Sequence, residues 1–216
     1  MIEPTTALQR IGSEGRALAL CLRSGLIAAQ SPHKMVSIVT ALNKYGPYGA
    51  AVTIGAVRFG DRAALIDELG TLTYRQLDER SNALARAWRA RGLAAGDGVA
   101  ILARNHRGFL DATFAAAKCG ARIVLLNTDF AGPQICDVTR QEGIDLLVHD
   151  DEYSHMLTDV TAPKGKWRAW TEAGGADTLE ALIAANSSSP PPKPRLVAKV
   201  VILTSGTTGS PKGVHR

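Results

Sequence analysis

Between residues 99 and 149, short apolar runs alternate with stretches whose apolar residues recur every three or four positions. Each run has the length of a buried strand, and each stretch between them has the spacing of a helix. The first helix ends near Gly120, and the second is bracketed by Pro133 and Gly143. The three runs are Val99–Ala103, Arg122–Leu126 and Ile144–His149. Because apolar strands linked by helices pair in parallel through right-handed crossovers, the pattern predicts an α/β fold with a parallel βαβαβ core.

Before this core, the pattern predicts a hairpin and then a helix. Ala64–Asp67 and Thr71–Thr73, with a short turn between them, are typical of two antiparallel strands. Thr73 and Gln76 have the spacing of a capping box, which predicts a helix that begins there and runs to Gly92.

After the core, the predicted elements are shorter. Lys166–Trp170 predicts a strand, and Leu179–Ala185 predicts a short helix. Residues 186–195 (NSSSPPPKPR) contain four prolines and three serines, which favour an extended loop or linker. Lys199–Leu203 (KVVIL) has the composition of a buried strand.

Residues 1–33 form a leader that contains one apolar stripe. A helix over residues 8–26 would place five apolar residues on one face. These residues are Leu8, Ile11, Leu18, Leu22 and Leu26. Such a helix either lies peripherally on a membrane surface or is structural, packed on the parent domain or frayed, and the structural interpretation is preferred. The leader lacks the order of regions of a secretory signal, and no stretch has the roughly 20 apolar residues of a spanning helix.

Composition limits the classes of function. Of the 216 residues, 45% are apolar and 21% are charged, which is typical of a globular protein and excludes a disordered, collagenous or polytopic membrane chain. The formal net charge is +5, but residues 1–62, with seven basic and three acidic side chains, account for +4 of it. Because this charge is spread along the chain and not interleaved with aromatics, no nucleic-acid partner is expected. The cysteines Cys21, Cys119 and Cys136 lack CxxC spacing, which indicates reduced thiols and a cytoplasmic location.

The strongest candidate for chemistry is Thr204–Val214, which reads TSGTTGSPKGV. Its three glycines allow backbone N–H groups to approach a ligand closely, and its hydroxyls and one lysine add further donors. A loop of this kind suits the oxygens of a polyphosphate. Pro211 before Lys212 and Gly213 after it distinguish the loop from the common nucleotide P-loop, and the sequence has no GxGxxG dinucleotide fingerprint.

This motif resembles the signature phosphate loop of the adenylate-forming (AMP-binding) superfamily, which includes acyl-CoA synthetases, luciferases and peptide-synthetase adenylation domains. Two other blocks, Asp61–Asn105 and Ala115–Phe130 (AAAKCGARIVLLNTDF), are similar to blocks of the same family. The similarity covers about residues 57–214 and leaves the leader outside. The extended N-terminus and the LNTDF segment favour fatty-acid–CoA ligases within the family.

The resemblance implies that the chain is an incomplete part of the family's large N-terminal domain. Residues 34–185 would be its α/β portion, 186–195 a loop, and 196–216 a strand with the phosphate-binding loop, after which the chain is truncated. In the implied reaction, a fatty acid or another carboxylic acid attacks the α-phosphorus of ATP in the presence of Mg²⁺, and coenzyme A then displaces AMP. The residues implied to bind the ATP phosphates are Thr204, Ser205, Gly206, Thr207, Thr208, Gly209 and Lys212.

The same resemblance implies that most of an active site lies beyond these residues. The acyl pocket, the adenine and ribose contacts, the acidic residue associated with Mg²⁺ and the catalytic lysine of the small C-terminal domain have no counterpart here. No catalytic residue or metal ligand is therefore assigned, and we expect the 216 residues alone not to activate a carboxylate. The alternative is a non-catalytic remnant that acts as a binding or membrane-associated module.

The remaining histidines and acidic residues do not indicate a site. His106, His149 and His155 lack metal-ligand spacing and are predicted to lie at the surface or at strand ends. The acidic run Asp150–Glu152 follows a strand directly, which predicts a solvated turn and not an acid–base pair or a Mg²⁺ site.

The cysteines and tryptophans are predicted to have structural roles. Cys119 and Cys136 have no identified base beside them, which favours buried thiols over nucleophiles. Trp167 and Trp170 are predicted to anchor the core.

Overall fold

A six-stranded sheet forms the centre of the structure, a computed structural model that describes residues 31–204 and 212–215. The chain divides into two compact units, residues 1–35 and residues 36–216, and the sheet belongs to the second unit. The described part of the first unit is residues 31–35, where the first described helix begins. The predicted helix over residues 8–26 lies outside the described residues.

The elements of the described residues follow in chain order. They are α1 (Pro32–Phe59), β1 (Ala63–Asp67), β2 (Gly70–Thr73), α2 (Tyr74–Ala90), β3 (Gly98–Leu102), α3 (Arg107–Cys119), β4 (Arg122–Leu125), α4 (Gly132–Gln141), β5 (Ile144–Asp150), a 3-10 helix (Asp151–Met156), β6 (Lys166–Trp170), α5 (Leu179–Ala184), β7 (Lys199–Thr204) and β8 (Lys212–His215).

The sheet confirms the predicted parallel α/β core. Its strand order is β6-β5-β3-β4-β7-β8, in which the first five strands run parallel and β8 runs antiparallel to β7. The three strands predicted from residues 99–149 are β3, β4 and β5, and they are joined through α3 and α4 as expected. The predicted strands at Lys166–Trp170 and Lys199–Leu203 are β6 and β7.

Helices cover both faces of the sheet, which explains why its central strands are apolar at consecutive positions. On one face, α2, α3 and α5 pack against the sheet, and the fully buried Trp88 of α2 lies in this layer with Ile101 and Ile123. On the other face, α4 contributes the buried side chains of Ile135 and Val138.

The hairpin and the capping box are also confirmed. β1 and β2 pair antiparallel. The Gln76 backbone N–H donates to Thr73 Oγ1 at 3.2 Å, and the Thr73 backbone N–H donates to Gln76 Oε1 at 2.9 Å. These two bonds satisfy donors that the first turn of α2 would otherwise leave free. The helix ends at Ala90, two residues before the predicted Gly92.

The pattern of the sequence did not predict α1, the longest of the described helices. It is kinked at Gly46, because Pro47 has no N–H to donate and disfavours helical geometry at the residue before it. The segment after the kink packs on the fold, where the Thr53 hydroxyl donates to Asp78 Oδ1 at 2.6 Å. At the kink, the Tyr45 hydroxyl donates to the Pro191 carbonyl at 2.7 Å.

The Pro/Ser-rich segment, residues 186–195, is an irregular loop that lies against the fold. Pro191 and Pro194 are buried. In addition to the Tyr45 bond, Arg89 Nη1 donates to the Pro192 carbonyl at 3.3 Å. This segment is therefore a packed connection between α5 and β7 and does not behave as a free linker.

An ion pair ties the hairpin to the start of α3. The side chain of Asp67 accepts hydrogen bonds from Arg107 Nε at 2.9 Å and from the Arg107 backbone N–H at 3.0 Å. Only 3% of the Asp67 side chain is exposed. The hydrogen bonds from the Arg107 side chain hold the pKa of Asp67 at about 2, below its ordinary value of 3.8.

This ion pair predicts how the free energy of unfolding changes at acidic pH. A carboxyl group whose pKa is lower in the folded state contributes stability that is present above the unfolded pKa and is lost as the pH falls through the folded pKa. We expect Asp67→Asn to lower the free energy of unfolding by about 2 kcal/mol near pH 6, and the difference from the parent to shrink as the pH falls from about 4 to about 2. Urea unfolding over this range measures it, and a difference that stays constant with pH would contradict it.

Candidate functional site

The candidate phosphate loop connects β7 to β8. These strands pair antiparallel, and Thr204 is the register partner of Lys212. The first and last residues of the predicted set are therefore opposite each other at the mouth of the hairpin. The other five predicted residues fall within 205–211, outside the described residues. They are Ser205, Gly206, Thr207, Thr208 and Gly209.

This hairpin mouth lies at the edge of the sheet where the five parallel strands have their carboxyl ends. β7 runs parallel to β4 with Ile202 opposite Leu125, the last pair of this register, and Thr204 and Asn127 each follow two residues later in their own segments. Asn127 begins a turn in which its side chain accepts a hydrogen bond from the Asp129 backbone N–H at 3.1 Å. Parallel α/β sheets bind ligands at the carboxyl ends of their strands, so the motif leaves the sheet at the edge suited to a ligand.

The chain leaves β3 and β5 in opposite directions at the same edge. β3 and β5 are neighbours, but the chain passes from β3 to β4 on one side and from β5 to β6 on the other. Such a divergence opens a crevice in parallel sheets. Here the crevice is filled by a buried pair, His106 and Asp150, whose residues are 6% and 3% exposed.

The two ring nitrogens of His106 are both used in holding the β3–α3 connection. The Gly108 backbone N–H donates to Nδ1 at 3.0 Å, so Nδ1 acts as the acceptor. The proton is thereby assigned to Nε2, which lies 2.9 Å from Asp150 Oδ1. The ring also packs on Trp170, with 4.8 Å between the centroids. His106 therefore caps α3 and positions the loop, and neither nitrogen is available to a substrate in this arrangement.

Two predictions about these residues were wrong. His106 is not a surface residue, and Asp150 does not lie in a solvated turn, because the adjacent ends of β3 and β5 bury them against each other. The second carboxylate oxygen of Asp150 accepts the Arg104 backbone N–H at 2.7 Å. His149, at the end of β5, is also buried, and burial lowers its pKa. His155 is exposed, as predicted.

The other two acidic residues of the run are more exposed than Asp150, which agrees better with the predicted solvated turn. Asp151 accepts hydrogen bonds from the hydroxyls of Thr171 at 2.8 Å and Ser154 at 3.0 Å, and these bonds lower its pKa. Glu152 is exposed and pairs with Arg104. Among residues 31–204, no group of three or more His, Cys, Asp or Glu side chains is arranged to hold a metal ion.

The described thiols and Trp167 fit the structural roles expected of them, whereas Trp170 is half-buried and packs on His106 outside the two core clusters. Cys119 is buried, its thiol contacts the Ala85 carbonyl at 3.5 Å, and burial raises its pKa to about 12, which leaves almost no thiolate at neutral pH. Cys136 is half-buried beside the core. Trp167 packs against the core under Arg91, whose guanidinium carbon lies 5.2 Å from the ring centroid.

A fully buried ammonium, which the sequence analysis did not single out, links α3 to α2. Lys118 Nζ donates to Asp78 Oδ1 at 2.7 Å, to Asn82 Oδ1 at 2.7 Å and to Ser81 Oγ at 2.8 Å. The Lys118 side chain is 0% exposed, and burial lowers its pKa. This Lys118 cluster joins the Ala115–Phe130 block, which contains Lys118, to the Asp61–Asn105 block, which contains its three partners. It fixes the helix that leads into β4, next to the strand that carries the candidate loop.

Comparison with known proteins decides the family. A sequence model of the family described as AMP-binding enzyme matches residues 53–216, more than half of the chain. The chain belongs to the AMP-binding enzyme family. The match includes the candidate loop and both of the upstream blocks.

The relatives of this AMP-binding chain include enzymes named as fatty-acid ligases. A fatty acid–(acyl-carrier-protein) ligase of Streptomyces coeruleorubidus is 33% identical over 155 residues, which are 70% of this chain and 29% of that enzyme. A medium/long-chain-fatty-acid–CoA ligase of Mycobacterium tuberculosis is 28% identical over 208 residues, covering 91% of this chain and 34% of that ligase. Because residues 34–216 make up less than 91% of the chain, this alignment also includes part of the leader, which was predicted to lie outside the family pattern.

The fold agrees with the family. A solved fatty acyl CoA synthetase of Mycobacterium tuberculosis superposes with a TM-score of 0.65 at 23% identity, over 82% of this chain and 35% of that one. The AMP-binding chain therefore has the fold of part of such an enzyme, and it spans about a third of the length of the relatives compared here. Among the described residues, no helix is both long and apolar enough to span a membrane.

The buried polar groups of the AMP-binding chain escaped the sequence analysis for one reason. His106 and Asp150 are 44 residues apart, and Lys118 and Asp78 are 40 apart, so no local spacing relates them. A weak signal exists for Lys118, which stands alone in the otherwise small and apolar stretch AAAKCGA.

Proposed function

We propose that this chain is the phosphate-binding, N-terminal part of an ATP-dependent fatty-acid–CoA ligase. The observation that carries the proposal is the position of the TSGTTGSPKGV motif, in which Thr204 and Lys212 are register partners at the carboxyl edge of the parallel sheet. Family membership and the names of the relatives support the same reaction class. A fatty acid is the substrate that these names favour.

In the proposed first step, a carboxylate oxygen attacks the α-phosphorus of ATP and the bond to the β-phosphate oxygen breaks. The products are an acyl-adenylate and pyrophosphate, and the departing pyrophosphate gains negative charge as the bond breaks. The backbone N–H groups of Gly206 and Gly209, the hydroxyls of residues 204–208 and the ammonium of Lys212 would bind the β- and γ-phosphate oxygens. Donors fixed in advance around a developing charge lower the barrier.

In the proposed second step, the thiol of coenzyme A attacks the acyl carbonyl. The acyl–oxygen bond breaks, AMP leaves, and the thiol proton goes to solvent or a base. No described residue is assigned to this step. Mg²⁺ accompanies ATP in the proposed reaction, but the described residues supply no acidic cluster for it, so no step is assigned to a protein-bound metal.

Nucleotide binding tests the proposal directly. A ligand that binds only the folded state at about 100 times its Kd adds about 2.7 kcal/mol of stability, so saturating Mg·ATP should raise the melting temperature of the chain measurably. We expect Lys212→Ala to reduce this shift strongly. Lys193→Ala, an exposed lysine at the opposite edge of the sheet, is the matched control and should retain it. Absence of any shift with Mg·ATP would contradict phosphate binding by this chain.

An ATP–pyrophosphate exchange assay tests whether this chain is only part of the proposed enzyme. We expect no fatty-acid-dependent ATP–pyrophosphate exchange from the 216 residues alone, because one phosphate loop supplies only part of a site that needs several converging groups. Exchange above background that disappears in Lys212→Ala would show that this polypeptide is catalytic by itself.

A further inference from the structure

One face of α1 presents aliphatic side chains to solvent. Val36, Val39 and Leu42 are 66%, 51% and 38% exposed, and their spacing places them on one side of the helix. Ala41 and Tyr45, on the other side, are buried at 5% and 2%. The helix therefore buries one side in the fold and exposes three aliphatic side chains on the other, where Ser37, Thr40 and Asn43 are exposed as well.

A second exposed aliphatic pair lies in the segment that leads into β7. Leu196 and Val197 are 56% and 54% exposed. This segment touches α1 at its kink, since a Cβ built on Gly46 would overlap the side chain of Val197, and the Tyr45 hydroxyl bonds the Pro191 carbonyl nearby. The exposed aliphatic side chains of α1 and the segment before β7 therefore belong to adjoining parts of one surface.

The charges of these two segments have a single sign. Residues 36–60 and 186–199 contain no aspartate or glutamate. Lys193, Arg195 and Lys199 are exposed, and among residues 31–204 no carboxylate bonds or pairs with them. Acidic groups of the neighbouring elements are already engaged, Asp78 with the Lys118 cluster and Asp97 with Lys164.

We propose that these two segments form a cationic–aliphatic surface (Val36, Val39, Leu42, Leu196 and Val197, with Lys193, Arg195 and Lys199) that binds an anionic lipid bilayer. Binding is favoured when exposed aliphatic side chains leave water for the boundary between headgroups and acyl chains, and when the cations contact anionic headgroups. Aliphatic insertion and basic attraction are each weak alone, and their combination gives stable peripheral binding. We choose an anionic bilayer as the partner because the exposed cations complement its charge and no described carboxylate neutralises them.

The position of the surface is compatible with nucleotide binding. Residues 193–199 precede the amino end of β7, whereas the candidate phosphate loop follows its carboxyl end. The length of a strand separates them, so contact of one edge with a bilayer leaves the other edge open to ATP.

Sedimentation of the full chain with vesicles tests the proposal. We expect binding to phosphatidylcholine vesicles that contain phosphatidylglycerol, little binding to phosphatidylcholine alone, and release at high salt. The pair Lys193→Gln/Arg195→Gln should lower the partition coefficient by about 30-fold, and Val39→Gln/Leu42→Gln by about tenfold or more. The matched control, Arg140→Gln/Ile66→Gln, removes one exposed cation and one exposed aliphatic residue elsewhere and should leave binding unchanged.

Three results would overturn the proposal. The first is no binding to anionic vesicles by the folded parent. The second is binding that survives both variant pairs, and its loss on removal of residues 1–30 would assign it to the predicted leader helix. The third is concentration-dependent self-association that Val39→Gln/Leu42→Gln abolishes in the absence of vesicle binding, which would assign the face to a second copy. Circular dichroism of each variant separates a lost surface from a lost fold, since all four replaced side chains of the two pairs are exposed.

Discussion

Replacing Lys118 with methionine is expected to lower the free energy of unfolding by about 3–5 kcal/mol, because it removes one partner from a buried ionic network. The ammonium satisfies Asp78, Ser81 and Asn82 at once, all within 2.8 Å. Methionine fills a similar volume but donates nothing. The Asn82 carbonyl and the Ser81 hydroxyl would then be buried without this donor, which costs more than the bonds themselves contribute.

Urea unfolding of the variants measures this effect. Lys166→Met is the matched control, since Lys166 is half-buried and its Nζ donates to one backbone carbonyl, that of Leu157, at 2.7 Å. The control should lose about 1 kcal/mol. A double-mutant cycle with Asp78→Asn should return a coupling energy of about 1–3 kcal/mol, because the two groups are in direct contact. Equal losses for the two lysine variants would contradict a special role for the Lys118 cluster.

The parts of the fold that the sequence predicted depend on local signals. Apolar runs as short as Gly98–Leu102 report burial on both faces of a sheet, and the Thr73–Gln76 pair marks a helix start through bonds that span three residues. Each of these signals is contained in one short stretch of the chain. Signals of this local kind were sufficient to predict the parallel core, the hairpin and the start of α2.

The missed features depend on what the chain meets after folding. α1 carries apolar residues on both its buried and its exposed sides and has a Gly-Pro pair in its middle, so its sequence has no single apolar face that predicts a helix. His106 was predicted to lie at the surface or at a strand end, because nothing in residues 104–108 indicates the Asp150 carboxylate at the end of β5 that contacts it. The candidate phosphate loop could be recognised from its own residues, but its location beside β4 followed only from the strand order.

The Pro/Ser-rich segment is another feature that depends on contacts made after folding. Its composition predicted correctly that it has no regular structure. Composition could not show that Pro191 and Pro194 are buried, because the partners that cover them come from other parts of the chain. This segment matters for the candidate site, since it ends four residues before Lys199, the first residue of β7.

The close contact between this segment and the end of α3 gives the last prediction. Gly120 ends α3 with φ +73°, a conformation that side chains disfavour, and a Cβ there would overlap the Leu196 carbonyl oxygen and lie 2.8 Å from Pro194 Cβ. Gly143 also has positive φ, at +53°, but a Cβ there would meet no atom within 4 Å. The two glycines therefore share backbone strain and differ in the space around them.

Alanine at the two positions separates these causes. Gly143→Ala should cost about 1 kcal/mol, the price of left-handed backbone alone. Gly120→Ala adds overpacking against backbone that cannot rotate away, so we expect a loss of about 3–4 kcal/mol in urea unfolding. Because the displaced atoms lead directly into β7, Gly120→Ala should also weaken the Mg·ATP-dependent shift in melting temperature, whereas Gly143→Ala should not. Equal losses at the two positions would show that segment 194–196 moves freely, and the close packing would then have no role in holding the strand that carries the candidate phosphate loop.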